Sequence, residues 1–126
     1  MRLPVVVCAT GALALLACAG APIEPGVPRV VDRLVLSPYA SHEDCVRVQA
    51  GDRLDWRYES TPPVAFDIHY REGNAVLAPI VRDNSSGDSG TYEARLAEDY
   101  CLGFEAGAAG ATVSYRIEIR SASARR

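Results

Sequence analysis

The chain predicts an all-β, antiparallel β-sandwich of about eight short strands. Three observations carry this. Apolar and polar residues alternate with period two in segment after segment from Arg29 onward. Clusters of turn residues punctuate those segments at regular intervals. No stretch places its apolar residues at a helical period.

The strands follow in order. Val31–Leu36 is the first candidate. Val46 and Val48 alternate with Cys45, Arg47 and Gln49, and Ala50-Gly51-Asp52 turns the chain. Leu54, Trp56 and Tyr58 alternate with Arg53, Asp55, Arg57 and Glu59, which predicts a half-buried strand. Ser60-Thr61-Pro62-Pro63 is expected to end it, because proline cannot donate to a strand ladder. Val64, Phe66, Ile68 and Tyr70 then alternate with Ala65, Asp67, His69 and Arg71. Glu72-Gly73-Asn74 reads as a hairpin turn into Ala75–Val81, where Pro79 indicates an edge strand or a bulge. Asp83–Gly90 reads as a mobile polar loop. Tyr92, Ala94 and Leu96 share the next face, Ala97-Glu98-Asp99 turns, and Tyr100, Leu102 and Phe104 alternate. Gly107–Gly110 is a further loop, and Val113, Tyr115, Ile117 and Ile119 mark the last strand. Such alternation gives each sheet one dry and one wet face.

The amino terminus has a different character. Arg2 is followed by an apolar run that ends in Leu15-Leu16-Ala17-Cys18, the pattern of a secretory signal. These last four residues resemble the lipobox of bacterial lipoproteins. The resemblance implies cleavage before Cys18, diacylglycerol on its sulfur and acylation of its new amino terminus. Several acyl chains would make a firm membrane anchor, where a single one is marginal. Ala19 rather than Asp after the cysteine implies, by the same resemblance, a periplasm-facing place at the bacterial outer membrane. The competing readings are an ordinary signal peptide and a spanning anchor. Spanning needs about 20 apolar residues, and Pro4, Thr10 and Gly11 interrupt a shorter run. The expected organisation is a leader over 1–17, a lipidated Cys18 with a Pro/Gly-rich extended tether to residue 28, a β domain over 29–120 and a disordered tail over 121–126.

The chain has 13 basic and 16 acidic residues, no lysine and a net charge of −3. No basic stripe marks a nucleic-acid partner. Of the four cysteines, Cys8 falls in the leader and Cys18 would carry lipid, which leaves Cys45 and Cys101. In an oxidising compartment a disulfide between them is expected, with metal ligation or a redox role as the alternative. Both lie on the polar phase of their strands, so the bridge is expected on an outer face or at a strand end, not through the core.

Several motifs occur together in order. A cysteine precedes the segment from Val46 to Trp56, Phe66–Tyr70 follows, Gly90-Thr91-Tyr92 precedes Tyr100-Cys101-Leu102, and Val113–Ile117 closes the domain. This order resembles the GOLD domain, a jelly-roll-like β-sandwich of secretory-pathway cargo receptors and some lipid-transfer proteins, over roughly residues 44–120. In the cargo receptors an early and a late cysteine pair, as Cys45 and Cys101 would. The resemblance implies a binding module. The coiled coil, membrane span and sorting tail of those receptors have no counterpart here, so their activity does not carry over.

No catalytic constellation stands out, and no cofactor or metal is expected. Blue copper needs two histidines, a thiolate and usually a methionine, and the stretch after Cys101 has neither His nor Met. Asp67 and His69 share one strand face and could act as an acid/base pair or bind zinc, although no nucleophile in a strained turn accompanies them. Asp83, Asn84, Ser85 and Asp88 could offer oxygens to calcium, but not at EF-hand spacing. The charged phases, Arg53, Asp55, Arg57 and Glu59 with Asp67, His69 and Arg71, would form a grid if the two segments pair. They are the candidate docking face for an envelope protein. The expected function is a non-catalytic, lipid-anchored adaptor, with amphiphile binding as the alternative and hydrolysis using Asp67 and His69 as a remote third.

Overall fold

The structure, a computed structural model, describes residues 22–125. The leader, Cys18 and the first tether residues, 19–21, therefore lie outside the described residues. Six strands run β1 (Arg29–Leu36), β2 (Ser41–Val48), β3 (Arg53–Glu72), β4 (Ala75–Glu93), β5 (Glu98–Glu105) and β6 (Ala111–Arg120). They form one antiparallel sheet in the order β1-β6-β3-β5-β2, with β4 on the other side of β3. No described helix is long and apolar enough to cross a membrane.

The 20-residue β3 organises everything else. On one side it pairs with β4 from Arg53 to Glu72. On the other side its first part, Arg53–Thr61, pairs with β6, and its later part, Ala65–His69, pairs with β5. The sheet thus forks along β3 and curls. One half holds β1, β6, the start of β3 and the end of β4. The other holds β2, β5, the end of β3 and the start of β4.

The inner faces of the two halves meet in an aromatic core. Tyr58 and Phe66 ring centroids are 4.2 Å apart, and Phe104 meets Tyr115 at 5.1 Å across the halves. Leu54, Ile68, Leu102, Val113 and Ile117 are fully buried around them. Every one of these residues belongs to the apolar phase of its strand. The period-two pattern therefore assigned the inner face correctly.

Six strands replace the expected eight because two expected breaks are not breaks. Ser60–Pro63 does not end a strand. Pro62 and Pro63 sit where β3 has left β6 and not yet reached β5, and where the β4 ladder skips from Glu59 to Val64. Neither side asks those prolines for an N–H. The Thr61–Pro62 peptide is cis. Asp83–Gly90, expected as a mobile loop, lies instead within β4, where Asp88 faces Tyr58 and Gly90 faces Trp56. Its small residues follow from close packing. A Cβ at Gly87 would come within 2.9 Å of the Tyr58 carbonyl, and one at Gly90 within 2.7 Å of Trp56 Cζ2.

A Gly90→Ala substitution should therefore cost about 1–3 kcal/mol, the range for forcing a methyl into packed surroundings. Gly107→Ala, with nothing within 4 Å of its Cβ position, should stay near neutral. Urea titrations of both variants test this. Equal midpoints would refute the packing of Trp56 on Gly90.

The ends of the domain are more ordered than expected. Gly26 N–H donates to the Ile119 carbonyl at 2.8 Å, which pins the last part of the tether to β6. Ala122–Arg125, expected as disordered, forms a 3-10 turn. The Asp52 carboxylate accepts from the Ala122 N–H at 2.8 Å and caps that turn. The expected hairpin turn is present, with a loop of two residues rather than three: Glu72 pairs with Ala75, and Gly73 takes a φ of 62°. Glycine at the first loop position suits the turn type that matches strand twist.

Candidate functional site

The outer face of the β2–β5–β3 half carries two cross-strand rows. In one, Cys45 lies opposite Cys101, and Cys101 lies opposite His69. In the next, Glu43 lies opposite Gly103, and Gly103 lies opposite Asp67. Side chains two apart on a strand share a face, so both rows project outward. Cys45 and Cys101 form a disulfide with Cα atoms 3.9 Å apart. Their strand neighbours Val46, Tyr100 and Leu102 are buried, which places the bridge on the outer face, as its phase predicts.

Gly103 leaves a gap in the middle of these rows, and polar groups fill it. A Cβ there would collide with Asp67 Oδ1. His69 lies in the gap between two carboxylates. Its Nδ1 is 3.2 Å from Asp67 Oδ1, a hydrogen bond, and its Nε2 is 3.0 Å from Glu43 Oε1. A neutral imidazole has one N–H, so it cannot donate to both. Glu43, His69 and Cys101 each offer a ligand atom, all within 4.8 Å of one another, but the Cys101 sulfur is tied up in the bridge. A groove of about 250 Å³ opens beside this cluster, lined by Glu43, Asp67, His69, Arg82 and Glu105 among others.

The other sequence candidates divide. Arg53, Asp55, Arg57 and Glu59 do not pair with Asp67, His69 and Arg71. Both segments belong to β3 and lie in different halves, so the expected single grid is two patches. The reason is the continuity of β3 through Pro62-Pro63. Asp55 is engaged by Thr91 Oγ1 at 2.6 Å and by Arg120. Arg53, Arg57 and Arg71 are exposed and make no ion pair among the described residues. In the stretch weighed for calcium, Asp88 pairs with Arg82 at 2.7 Å, and Ser85 accepts from Tyr58 Oη at 2.7 Å, so two of its four oxygen-bearing side chains are already engaged.

Two features escaped sequence reasoning. Glu43 is one, although its position two before Cys45 put it on the same outer face. The second is a polar cluster that crosses the core. Asp44, on the inner face of β2, binds Arg29 Nη1 at 2.8 Å and accepts from Tyr115 Oη at 2.8 Å. His42 Nε2 lies 3.0 Å from the same phenol oxygen. Since Tyr115 gives its proton to Asp44, His42 must donate through Nε2. A charged residue on an apolar phase was the available signal.

Burial, then the hydrogen bond to Asp44 and the charge of that carboxylate, push the Tyr115 phenol far above its ordinary value. Burial also raises Tyr58, Tyr92 and Tyr100. Above pH ~10 the unfolded chain releases phenolic protons that the fold retains. The unfolded state then binds fewer protons, so stability falls as pH rises. Its full contribution is present below pH ~10. Urea midpoints at rising alkaline pH should drop more steeply in the native chain than in Tyr115→Phe. Parallel curves would count against the coupling.

No protein-family model matches the chain, and no curated protein matches it by sequence. Solved structures do match in fold. PliG of Aeromonas hydrophila, a periplasmic lysozyme inhibitor of g-type lysozyme, aligns with a TM-score of 0.59 at 14% identity, over 81% of this chain and 96% of that one. The pre-peptidase C-terminal domain of a Bacillus anthracis collagenase aligns with a TM-score of 0.54 at 9% identity, over 80% and 94% respectively. Both likenesses are of fold.

Proposed function

We propose that this protein is a non-catalytic, lipid-anchored module of the bacterial envelope that binds another protein. The observation that carries the reading is the set of exposed guanidiniums on the outer phase of β3. Arg53, Arg57 and Arg71 make no ion pair among the described residues. Arginine is enriched at the energetic centres of protein interfaces. The periplasmic inhibitor of similar fold gives a precedent for a protein-binding domain of this shape. The anchor rests on Leu15–Cys18 and its resemblance to a lipobox. We read the curled sheet as a GOLD-like, jelly-roll sandwich, on the facing rings of its two halves.

Both nitrogens of His69 face carboxylates, so neither is turned to a hydroxyl nucleophile, which weighs against the hydrolase reading. Amphiphile binding would need room between the two halves. Phe66, Phe104, Tyr58 and Leu54 fill that space with at most 2% exposure.

The test places a photo-crosslinking residue at Arg57 in the intact envelope. A discrete protein adduct, lost in Arg53→Glu, supports the reading. A lipid adduct or none counts against it. A g-type lysozyme is the first purified partner to try, and Arg57→Glu should weaken a genuine complex at least tenfold, about 1.4 kcal/mol.

A further inference from the structure

We propose that the Cys45–Cys101 bridge conceals a redox-gated zinc site. Once the bridge is reduced, the two cysteine thiolates, His69 Nε2 and Glu43 Oε1 hold one Zn²⁺ on the outer face of β2, β5 and β3. The inference is independent of the protein-binding reading.

Placement comes first. The register sets Cys45, Cys101 and His69 in one straight row, with Glu43 two residues from Cys45 on the same face. The ligand atoms of Glu43, His69 and Cys101 already lie within 4.8 Å of one another. Tetrahedral zinc, with Zn–S near 2.3 Å and Zn–N near 2.0 Å, separates its donors by roughly 3.4–3.8 Å. An inward shift of about 1 Å brings these three to that spacing, and Cys45 Sγ, released from Cys101 Sγ when the bridge opens, supplies the fourth donor. Glu43 can make that shift, since its side chain is 57% exposed. Gly103, beside both rows, presents no side chain to obstruct the movement.

Electronic fit comes next. His69 Nε2 faces the Glu43 carboxylate at 3.0 Å. A zinc ion placed there would take one donor atom from each. Its binding to Nε2 leaves the single N–H on Nδ1, which donates to Asp67 Oδ1. A metal-bound histidine almost always directs its other N–H to such an acceptor. Two thiolates, an imidazole and a carboxylate form a donor set suited to zinc.

A dithiol donor attacks one sulfur of the bridge, the Cys45–Cys101 bond breaks, and a mixed disulfide forms. The donor's second thiol resolves it. The donor leaves as its own disulfide, having supplied two electrons. The two cysteines lose their thiol protons to water as the Zn–S bonds form. Zinc is neither oxidised nor reduced. Because zinc binds the dithiol state alone, it favours reduction of the bridge by mass action.

The experiment uses the full chain, reduced with an immobilised dithiol, separated from it and kept anaerobic. Cobalt(II) is titrated first as a spectroscopic probe, then displaced with zinc. The reduced chain should keep its β-sheet circular dichroism and bind one cobalt. It should show a thiolate-to-metal charge-transfer band and tetrahedral visible bands. The oxidised chain should show neither. His69→Ala and Glu43→Gln should each weaken binding at least tenfold, and Asp67→Asn should cost about tenfold through His69 alone. Arg57→Glu should leave binding unchanged. Three results would overturn the proposal: no such bands, equal affinity in His69→Ala and Glu43→Gln, or loss of native circular dichroism on reduction.

Discussion

Asp44→Ala should lower the unfolding free energy by about 3 kcal/mol, at the lower end of the ~3–5 kcal/mol range for breaking a buried ion pair. The Asp44 side chain is 6% exposed and sits between Arg29 and Tyr115. Removing it takes from Arg29 its carboxylate partner and from the buried Tyr115 phenol the acceptor of its proton. Arg29, at 22% side-chain exposure, can turn partly to water, which is why the lower end applies. Asp44→Asn keeps an acceptor for Tyr115 and should lose less. Replacing Asp44 with Leu and Arg29 with Met together should recover much of the loss, since a well-packed apolar pair can match a buried ionic one. Urea denaturation at neutral pH measures all three. A loss below about 1 kcal/mol in Asp44→Ala would mean that the cluster holds no strands together.

The second large effect concerns the bridge. Cys45 and Cys101 are 56 residues apart. Chain entropy alone gives about 4 kcal/mol for closing such a loop, and measured values usually fall at about 2–4 kcal/mol. The double substitution to Ala should lower stability within that range. The effect should also be local. Apart from turns and side-chain contacts, β2 is held only by its ladder to β5. Without the bridge, the amides of β2 should exchange with solvent well before those of β3. Uniform exchange across the sheet would contradict this arrangement.

How much of this was legible in the sequence differs by element. The apolar inner face was legible in β3, β5 and β6, because Leu54, Trp56, Phe66, Ile68, Leu102 and Ile117 all keep period two. The outward position of Cys45 and Cys101 followed from the same phase. Strand ends were less legible. Pro62-Pro63 reads as a stop in any local window, and only the change of partner from β6 to β5 makes it harmless. Asp83–Gly90 reads as a loop, because its composition answers to Tyr58 and Trp56 on another strand. The candidate site was half visible. Asp67 and His69 are neighbours in sequence, whereas Glu43 joins them only through the cross-strand register. The polar core cluster was hidden for the same reason, since Arg29, Asp44 and Tyr115 come from three different strands.

A domain whose halves owned separate strands could open one half and keep the other. Here both halves hang on a single hairpin, and neither can be released without unzipping β4 from part of the same backbone. Local opening is thereby confined to the outermost strands, β1 and β2. The middle of the molecule should behave as one cooperative unit, with β3 amides on either side of Pro62 reporting the same opening free energy.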